Sequence, residues 1–240
     1  MREYEVLVVG AGAIGLSVAA ALVEEGIGPV LVAETRKAAG QGSTGRAAGG
    51  MRAQFASPIN IRMSRYTIER YRTLASSKGL MPGFKSAGYL FLAGSAAAAD
   101  YLRQAQVVQR AEGVETQLLT VPEALRLAPF IKPEGLMLGA FNPGDALLDP
   151  HEIVALLERR CRGAGVEIEY ESPVTAISAF SRGFRVTTGG SGVRADWVVN
   201  AAGPEAARVA GLLDLDLPVQ SYRRSVAVTG ATPQLRPRFP

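Results

Sequence analysis

The chain has 240 residues, 48% apolar and 20% charged, the balance of a globular protein large enough for one large or two small cores. Its 26 basic and 22 acidic residues leave a net charge of +4 with no Lys/Arg block, which argues against a dedicated nucleic-acid surface. A lone cysteine, Cys161, excludes an internal disulfide, and a lone histidine, His151, argues against a His/Cys metal centre. No apolar run approaches the length of a membrane span, and the N-terminus is not a basic segment leading into an apolar stretch. The expected location is therefore cytoplasmic.

The first element is a short apolar run, Val6–Val9, long enough for one buried strand and closed at once by glycine. Gly10, Gly12 and Gly15 then give the G-x-G-x-x-G spacing. A helix is expected from about Ala13 to Glu25, and a second buried strand from Pro29 to Ala33, with Glu34 at its tip. Each glycine has a separate purpose. Gly10 allows the tight turn, Gly12 lets the backbone approach a pyrophosphate, and Gly15 removes a side chain where helix and strand touch. The helix N-terminus offers N–H groups and a positive dipole end to phosphates, and a carboxylate at Glu34 can accept bonds from ribose hydroxyls. The fingerprint on its own serves NAD as well as FAD.

The segment from Thr35 to Phe55 is rich in glycine and small residues, which suits backbone lying against a ligand. Ser43 and Thr44 are expected to cap a short helix facing the nucleotide. A helix follows over residues 59–78, with its arginines (Arg62, Arg65, Arg70, Arg72) on a solvated face and Gly79 as the stop. From the Met81-Pro82-Gly83 turn the character changes: strand 86–93, helix 95–109, strand 114–120, short helix 121–127, strand 135–141. Without long apolar crossovers, this reads as an inserted mixed or antiparallel α+β layer. Asp149 and Pro150 begin a helix to Gly163, with Glu152 in its first turn and Arg159, Arg160 and Arg162 in its last. His151 therefore reads as a first-turn structural residue rather than a base, and Cys161 has no partner base beside it. Four strand-like runs follow, at 166–170, 173–179, 184–188 and 193–200. The last is expected to be buried and to end in Ala201, Ala202 and Gly203, where side-chain volume disappears. A helix starts at Pro204, and a final strand is expected over Val219–Thr229.

Four landmarks, VVGAGAIGLSVAAAL at 8–22, GSTGRAAGGMRAQF at 42–55, ALLDPHEIV at 146–154 and WVVNAAGPEA at 197–206, resemble the FAD-dependent amino-acid oxidases. That family includes D-amino-acid oxidase, glycine oxidase, sarcosine oxidase and dimethylglycine or proline dehydrogenase relatives, and the stretch from Gly88 to Pro150 is most similar to the sarcosine oxidase β-subunit type. The resemblance implies an α/β fold: a Rossmann-like FAD-binding domain (residues 1–80 and 146–215) with an inserted mixed or antiparallel α+β substrate domain (81–145 and 216–240). It implies non-covalent FAD, because Arg46 stands where some relatives bear a flavin-linking histidine.

By position, the resemblance assigns the pyrophosphate to Gly10, Gly12, Ala13, Ile14 and Gly15, and the adenosine ribose to Glu34 with Thr35 beside it. Gly42, Ser43, Thr44, Ala47, Ala48 and Gly49 would pass along the pyrophosphate and flavin. Val174 would meet the adenine, and Ala201, Ala202 and Gly203 would border the cofactor. Arg52 would bind a substrate carboxylate, and no catalytic residue is assigned. The implied reaction is hydride transfer from the carbon next to nitrogen of a small amine or amino acid such as sarcosine, glycine, proline or dimethylglycine. Relatives continue into a C-terminal part beyond this sequence. The chain is therefore expected to be a fragment or half of a split enzyme completed by a partner subunit; a non-catalytic nucleotide-binding subunit is the alternative.

Overall fold

The computed structural model describes residues 1–76, 83–226 and 230. In chain order the elements are β1 (Arg2–Val9), α1 (Ala13–Glu24), β2 (Val30–Ala33), β3 (Gly50–Met51), α2 (Pro58–Ser76), β4 (Tyr89–Ala93), α3 (Ala96–Ala111), β5 (Gln117–Leu119), α4 (Val121–Leu127) and β6 (Leu138–Asn142). They continue with β7 (Ala146–Leu147), α5 (Pro150–Gly163), β8 (Glu167–Glu169), β9 (Val174–Phe180), β10 (Gly183–Thr188), β11 (Ser191–Asn200) and α6 (Ala206–Gly211). The fold is α/β, as the sequence implies, and it divides into two compact units: Met1–Ala48 with Pro150–Ser225, and Gly49–Asp149 with Val226–Pro240.

The first unit is built on a six-stranded sheet in the order β8-β2-β1-β11-β10-β9. β8, β2, β1 and β11 run parallel, and β10 and β9 add an antiparallel edge. Val6–Val9 and Val30–Ala33 are buried on both faces, which is why these strands read as continuous apolar runs rather than alternating ones. Leu7, Val9, Leu31 and Ala33 share a core with Ile177, Val186 and Val193 of the β9–β11 meander and Val209 of α6. α1 packs on α5, with Leu16, Ala19 and Ala20 buried on one helix and Leu156, Leu157 and Cys161 on the other.

β11 departs from expectation. Its first half is buried at Val193 and Ala195, but Trp197 is 67% exposed and Asn200 is also exposed. The run WVVN is apolar in sequence, yet nothing among the described residues covers that tryptophan. The strand expected over Val219–Thr229 is also absent over residues 219–226, which pair with no strand among the described residues; residues 227–229 lie outside the described residues.

The second unit holds a three-stranded antiparallel sheet, β4-β6-β5, and a two-residue antiparallel ladder between β3 and β7. Gly88 enters β4 at φ +75°, where a Cβ would lie 2.4 Å from the Phe141 ring, so the approach of these strands requires glycine. The sequence reading assigned α2 to the nucleotide domain; the structure places it here. Ile61 and Ile68 pack with Ala53, Val114 and the partly buried Val108, and amphipathic spacing alone does not say against which sheet a helix lies. The α2 arginines lie on a solvated face, as expected, with Arg62, Arg65 and Arg70 exposed, and several are tied down there by hydrogen bonds. Arg62 donates Nε and Nη2 to the Glu112 carboxylate, both at 2.7 Å, Arg65 donates to the Glu112 carbonyl, and Arg72 bonds Glu69 and the Gly144 carbonyl. The part of this helix expected beyond Ser76 lies outside the described residues.

Candidate functional site

The turn after β1 is built so tightly that Gly10 and Gly15 cannot be exchanged. Gly10 has φ +106°, and a Cβ on it would lie 2.6 Å from the Ala201 carbonyl oxygen. A Cβ on Gly15 would lie 1.9 Å from the Gly10 oxygen. Hydrogen bonds zip the strand ends together, with Gly10 N–H donating to Ala33 O at 2.8 Å and Ala201 N–H to Val9 O at 3.0 Å. The fingerprint turn and the Ala201–Gly203 strand end are therefore one structure, formed where the parallel strands open at their C-terminal ends. Ala202 starts a short 3₁₀ turn over Gly203–Glu205 in which Gly203 takes φ +56°.

α1 begins at Gly12 with no side-chain cap, so the first-turn amides are left for another acceptor. The Ala13 N–H donates to Thr44 Oγ1 at 3.1 Å, whereas Ser43, expected as a cap, makes no side-chain capping bond to the 3₁₀ turn Thr44–Arg46. Thr44 is thus the hydroxyl aimed at the fingerprint, because Ser43 sits at φ −63°, ψ −30°, inside the turn instead of in the extended conformation a cap needs. Ile14 is 70% exposed at the same helix start, an apolar side chain with nothing over it among the described residues.

Glu34 is poised at the tip of β2. Its Oε2 accepts from Ala11 N–H at 2.7 Å and its Oε1 from Arg36 N–H at 2.9 Å, which ties the acid to the glycine turn. Thr35 beside it is exposed, as are Ser43, Ala47 and Ala48, while Gly42 has open space where a Cβ would be. Val174 has its side chain in the core, so only its backbone is available at the start of β9, close in sequence to Ser172, whose N–H donates to Glu34 O.

Arg36, Gly40, Gly45, Arg46 and His151 line a cavity of about 300 Å³. Sequence reasoning did not foresee this grouping. It arises because Gly40 (φ +71°) and Gly45 fold the loop against α5, with the His151 ring 3.1 Å from where a Gly45 Cβ would stand. Taken together, a helix start whose N-cap glycine brings no side-chain acceptor, a glycine turn that admits a close ligand and a strand-tip carboxylate fit the ADP half of a dinucleotide.

In the second unit, Arg52 follows β3 and is surrounded by aromatic rings. Its guanidinium carbon lies 4.9 Å from the Phe55 ring centre, 5.7 Å from Tyr89 and 5.5 Å from Phe91. Tyr89 and Phe91 alternate onto one face of β4, with ring centres 5.1 Å apart. Arg52 Nε is buried, and Arg52 donates no hydrogen bond among the described residues. Beside it Asp145 is fully buried and accepts from Ala53 N–H (2.8 Å), Asn142 Nδ2 (2.6 Å) and Gln54 Nε2 (3.0 Å). Burial pushes the Asp145 carboxyl upward, opposed by those three donors and by the Arg52 charge. The sequence reading passed over Asp145, because an aspartate after Pro-Gly looks like ordinary turn chemistry.

Cys161 is buried against α1, its Sγ 3.4 Å from Leu16 O, and burial raises its thiol to about 11. It is structural, as expected. The native chain should resist a thiol reagent at pH 8 and react once unfolded, and rapid labelling of the native form would contradict this. Since the folded state holds the proton more tightly than the unfolded thiol, stability should be intact below about pH 9 and decline as the pH rises towards about 11.

The model of the DAO family, FAD dependent oxidoreductase, matches residues 5–240. Dimethylglycine dehydrogenase, mitochondrial, of Rattus norvegicus is 29% identical over 234 residues, which are 97% of this chain and 27% of that protein. The chain thus spans about a quarter of that curated relative's length. Among solved structures, L-proline dehydrogenase from P. horikoshii superposes with a TM-score of 0.80 at 26% identity, over 88% of this chain and 56% of the other. Glycine oxidase from Geobacillus kaustophilus gives 0.78 at 28% identity, over 92% and 60%. The chain belongs to the DAO family of FAD-dependent oxidoreductases, whose cofactor is FAD.

Proposed function

We propose that the first unit holds the ADP half of FAD and that the whole protein oxidises the C–N bond of a small amine or amino acid. The observation that carries this reading is the glycine turn, closed against Ala201 with Glu34 at its rim. Gly10, Gly12, Ile14 and Gly15 would border the pyrophosphate, with the Ala13 N–H beside Thr44. Glu34 would accept the ribose hydroxyls, and Ala201–Gly203 would flank the cofactor. Bound there, FAD would supply the acceptor for a hydride from the carbon next to nitrogen. The chain's own residues bind and orient. Arg52, a cation with no hydrogen-bond partner among the described residues, would receive the substrate carboxylate and fix which carbon is presented.

Relatives named for dimethylglycine, proline and glycine support a small amino acid or N-methylated amino acid as substrate. The test is anaerobic titration of the FAD-loaded protein with sarcosine, dimethylglycine, proline and glycine, following the loss of flavin absorbance. Bleaching by one of them is expected. A folded chain that stays colourless after incubation with FAD would overturn the reading for this chain. With a substrate in hand, Arg52→Lys should raise KM by roughly 10-fold or more while kcat falls less, because lysine keeps the charge but loses the two-pronged contact.

A second reading is favoured by one observation, the exposed Trp197 on a sheet strand. In it this chain binds nucleotide but needs the remainder of the fold, or a partner subunit, for chemistry. Bound flavin that none of the amines bleaches would favour it.

A further inference from the structure

We propose that Asp145 is a positioning residue that clamps the Arg52 segment and holds its guanidinium in a fixed orientation for an anionic group. Two pieces of chain, the segment that follows Arg52 and the end of β6, meet at its carboxylate. Oδ1 accepts from the Ala53 backbone, the residue next to Arg52, and from Asn142 at the end of β6. Oδ2 accepts from Gln54 Nε2, and the same nitrogen also donates to the Tyr89 carbonyl at 2.8 Å. Tyr89 is in turn one wall of the Arg52 cage. The backbone of Asp145 adds two ties, accepting from Gly88 N–H at 3.0 Å and donating to Asn142 O at 3.3 Å. Asp145 therefore fixes both the segment that carries Arg52 and the strand that carries two of its three rings.

The chemistry explains why a carboxylate stands there. Three donors converge on it, and an uncharged acceptor would satisfy them less well. Its negative charge also lies beside a cation that has no hydrogen-bonding partner among the described residues, and so offsets the cost of holding that cation in an apolar cage before any ligand arrives. Arg52 keeps its cage contacts and leaves its donors for an incoming anion. The functional consequence, a pre-oriented site for a substrate carboxylate, rests on the reading of Arg52 given above; the clamp itself does not.

Phenylglyoxal labelling of the FAD-loaded full chain, with each arginine quantified by peptide mass spectrometry, tests the two separately. Asp145→Asn keeps the shape but turns an amide N–H towards donors. It should accelerate labelling of Arg52 by at least about 10-fold and leave Arg62, Arg65 and Arg72 unchanged. Equal acceleration at all four would mean that Asp145 merely holds the fold, and an unchanged Arg52 rate in a folded variant would mean that there is no clamp. Either result overturns the proposal. If Asp145→Asn does not fold, Asn142→Ala, which removes one of the three side-chain ties, carries the test. Selective acceleration of about 2- to 5-fold is expected, and no change at Arg52 overturns the proposal. Sarcosine should slow Arg52 labelling in the unmodified chain. If it does not, the carboxylate reading fails while a selective Asp145→Asn effect still establishes the clamp.

Discussion

Replacing Gly15 by alanine is expected to give a chain that no longer retains FAD and unfolds at markedly lower temperature. The added methyl would stand 1.9 Å from the Gly10 carbonyl oxygen, and no rotamer relieves a clash of Cβ with backbone. The Gly10 backbone cannot retreat, because its N–H is bonded to Ala33 O and its other side faces Ala201 O. Overpacking of a core by one or two methylenes costs about 1–3 kcal/mol, and a forced shift of a hydrogen-bonded turn belongs at or above the upper end. Gly12→Ala separates this effect from ligand contact. Its Cβ would meet only Thr44 Oγ1 at 3.3 Å, a side-chain atom that can move, so the fold should survive. The methyl would nevertheless occupy space proposed for the pyrophosphate, and FAD affinity should fall by roughly 10-fold or more. Gly211→Ala, with nothing within 4 Å, should change neither property. Thermal unfolding with and without FAD reads both quantities. A Gly15→Ala chain that melts and binds like the parent would show that the turn is not the rigid element inferred here.

These glycines also show why the nucleotide unit is legible in sequence and the other unit much less so. β1, α1 and β2 are consecutive, their pattern is local, and strands buried on both faces leave long apolar runs. The closing contact of Gly10 with Ala201 is far away in sequence, but each partner marks itself by losing its side-chain volume at a strand end. α2 carries no such mark. Its stripe of Ile61 and Ile68 announces a buried face, and the partners that decide its place, Ala53 and Val114, are not distinguishable in sequence from any other small apolar residues. The β3–β7 ladder is two residues long and has no periodicity to detect. Asp145 acts on Ala53 and Gln54 across more than ninety residues, and its significance lies in burial, which no local pattern reports. The expected strand over Val219–Thr229 is absent over residues 219–226 for the opposite reason. Val219, Tyr222 and Val226 favour a strand, but residues 219–226 pair with no strand among the described residues, and propensity without a partner does not make a sheet.

Glu34→Ala is expected to weaken FAD binding by about 100-fold or more with a smaller loss of stability. The carboxylate serves two purposes in the structure. Oε2 satisfies the N–H of Ala11, a residue with no exposed surface, and Oε1 satisfies the N–H of Arg36. Removing it strands the buried Ala11 donor, which costs about 1–3 kcal/mol, and removes the proposed acceptors for two ribose hydroxyls, where hydrogen bonds to a charged group contribute about 1.5–3 kcal/mol each. The first loss lowers stability with or without FAD, and the second appears only on binding. Glu34→Gln divides them. Its remaining oxygen can keep the Ala11 bond, so the stability of the free chain should stay near that of the parent. Its amide cannot accept at the second oxygen position, so affinity should fall by roughly 10-fold. Affinity should therefore decline from Glu to Gln to Ala, whereas free-chain stability drops only at Ala. Titration with FAD and with ADP should give the same order, because the adenine half carries the difference. If all three forms bind ADP equally, Glu34 serves the turn alone and the ribose is held by other residues. If Glu34→Gln is destabilised as strongly as Glu34→Ala, the Ala11 bond requires the charge itself, and Glu34 is first a structural residue of the fingerprint.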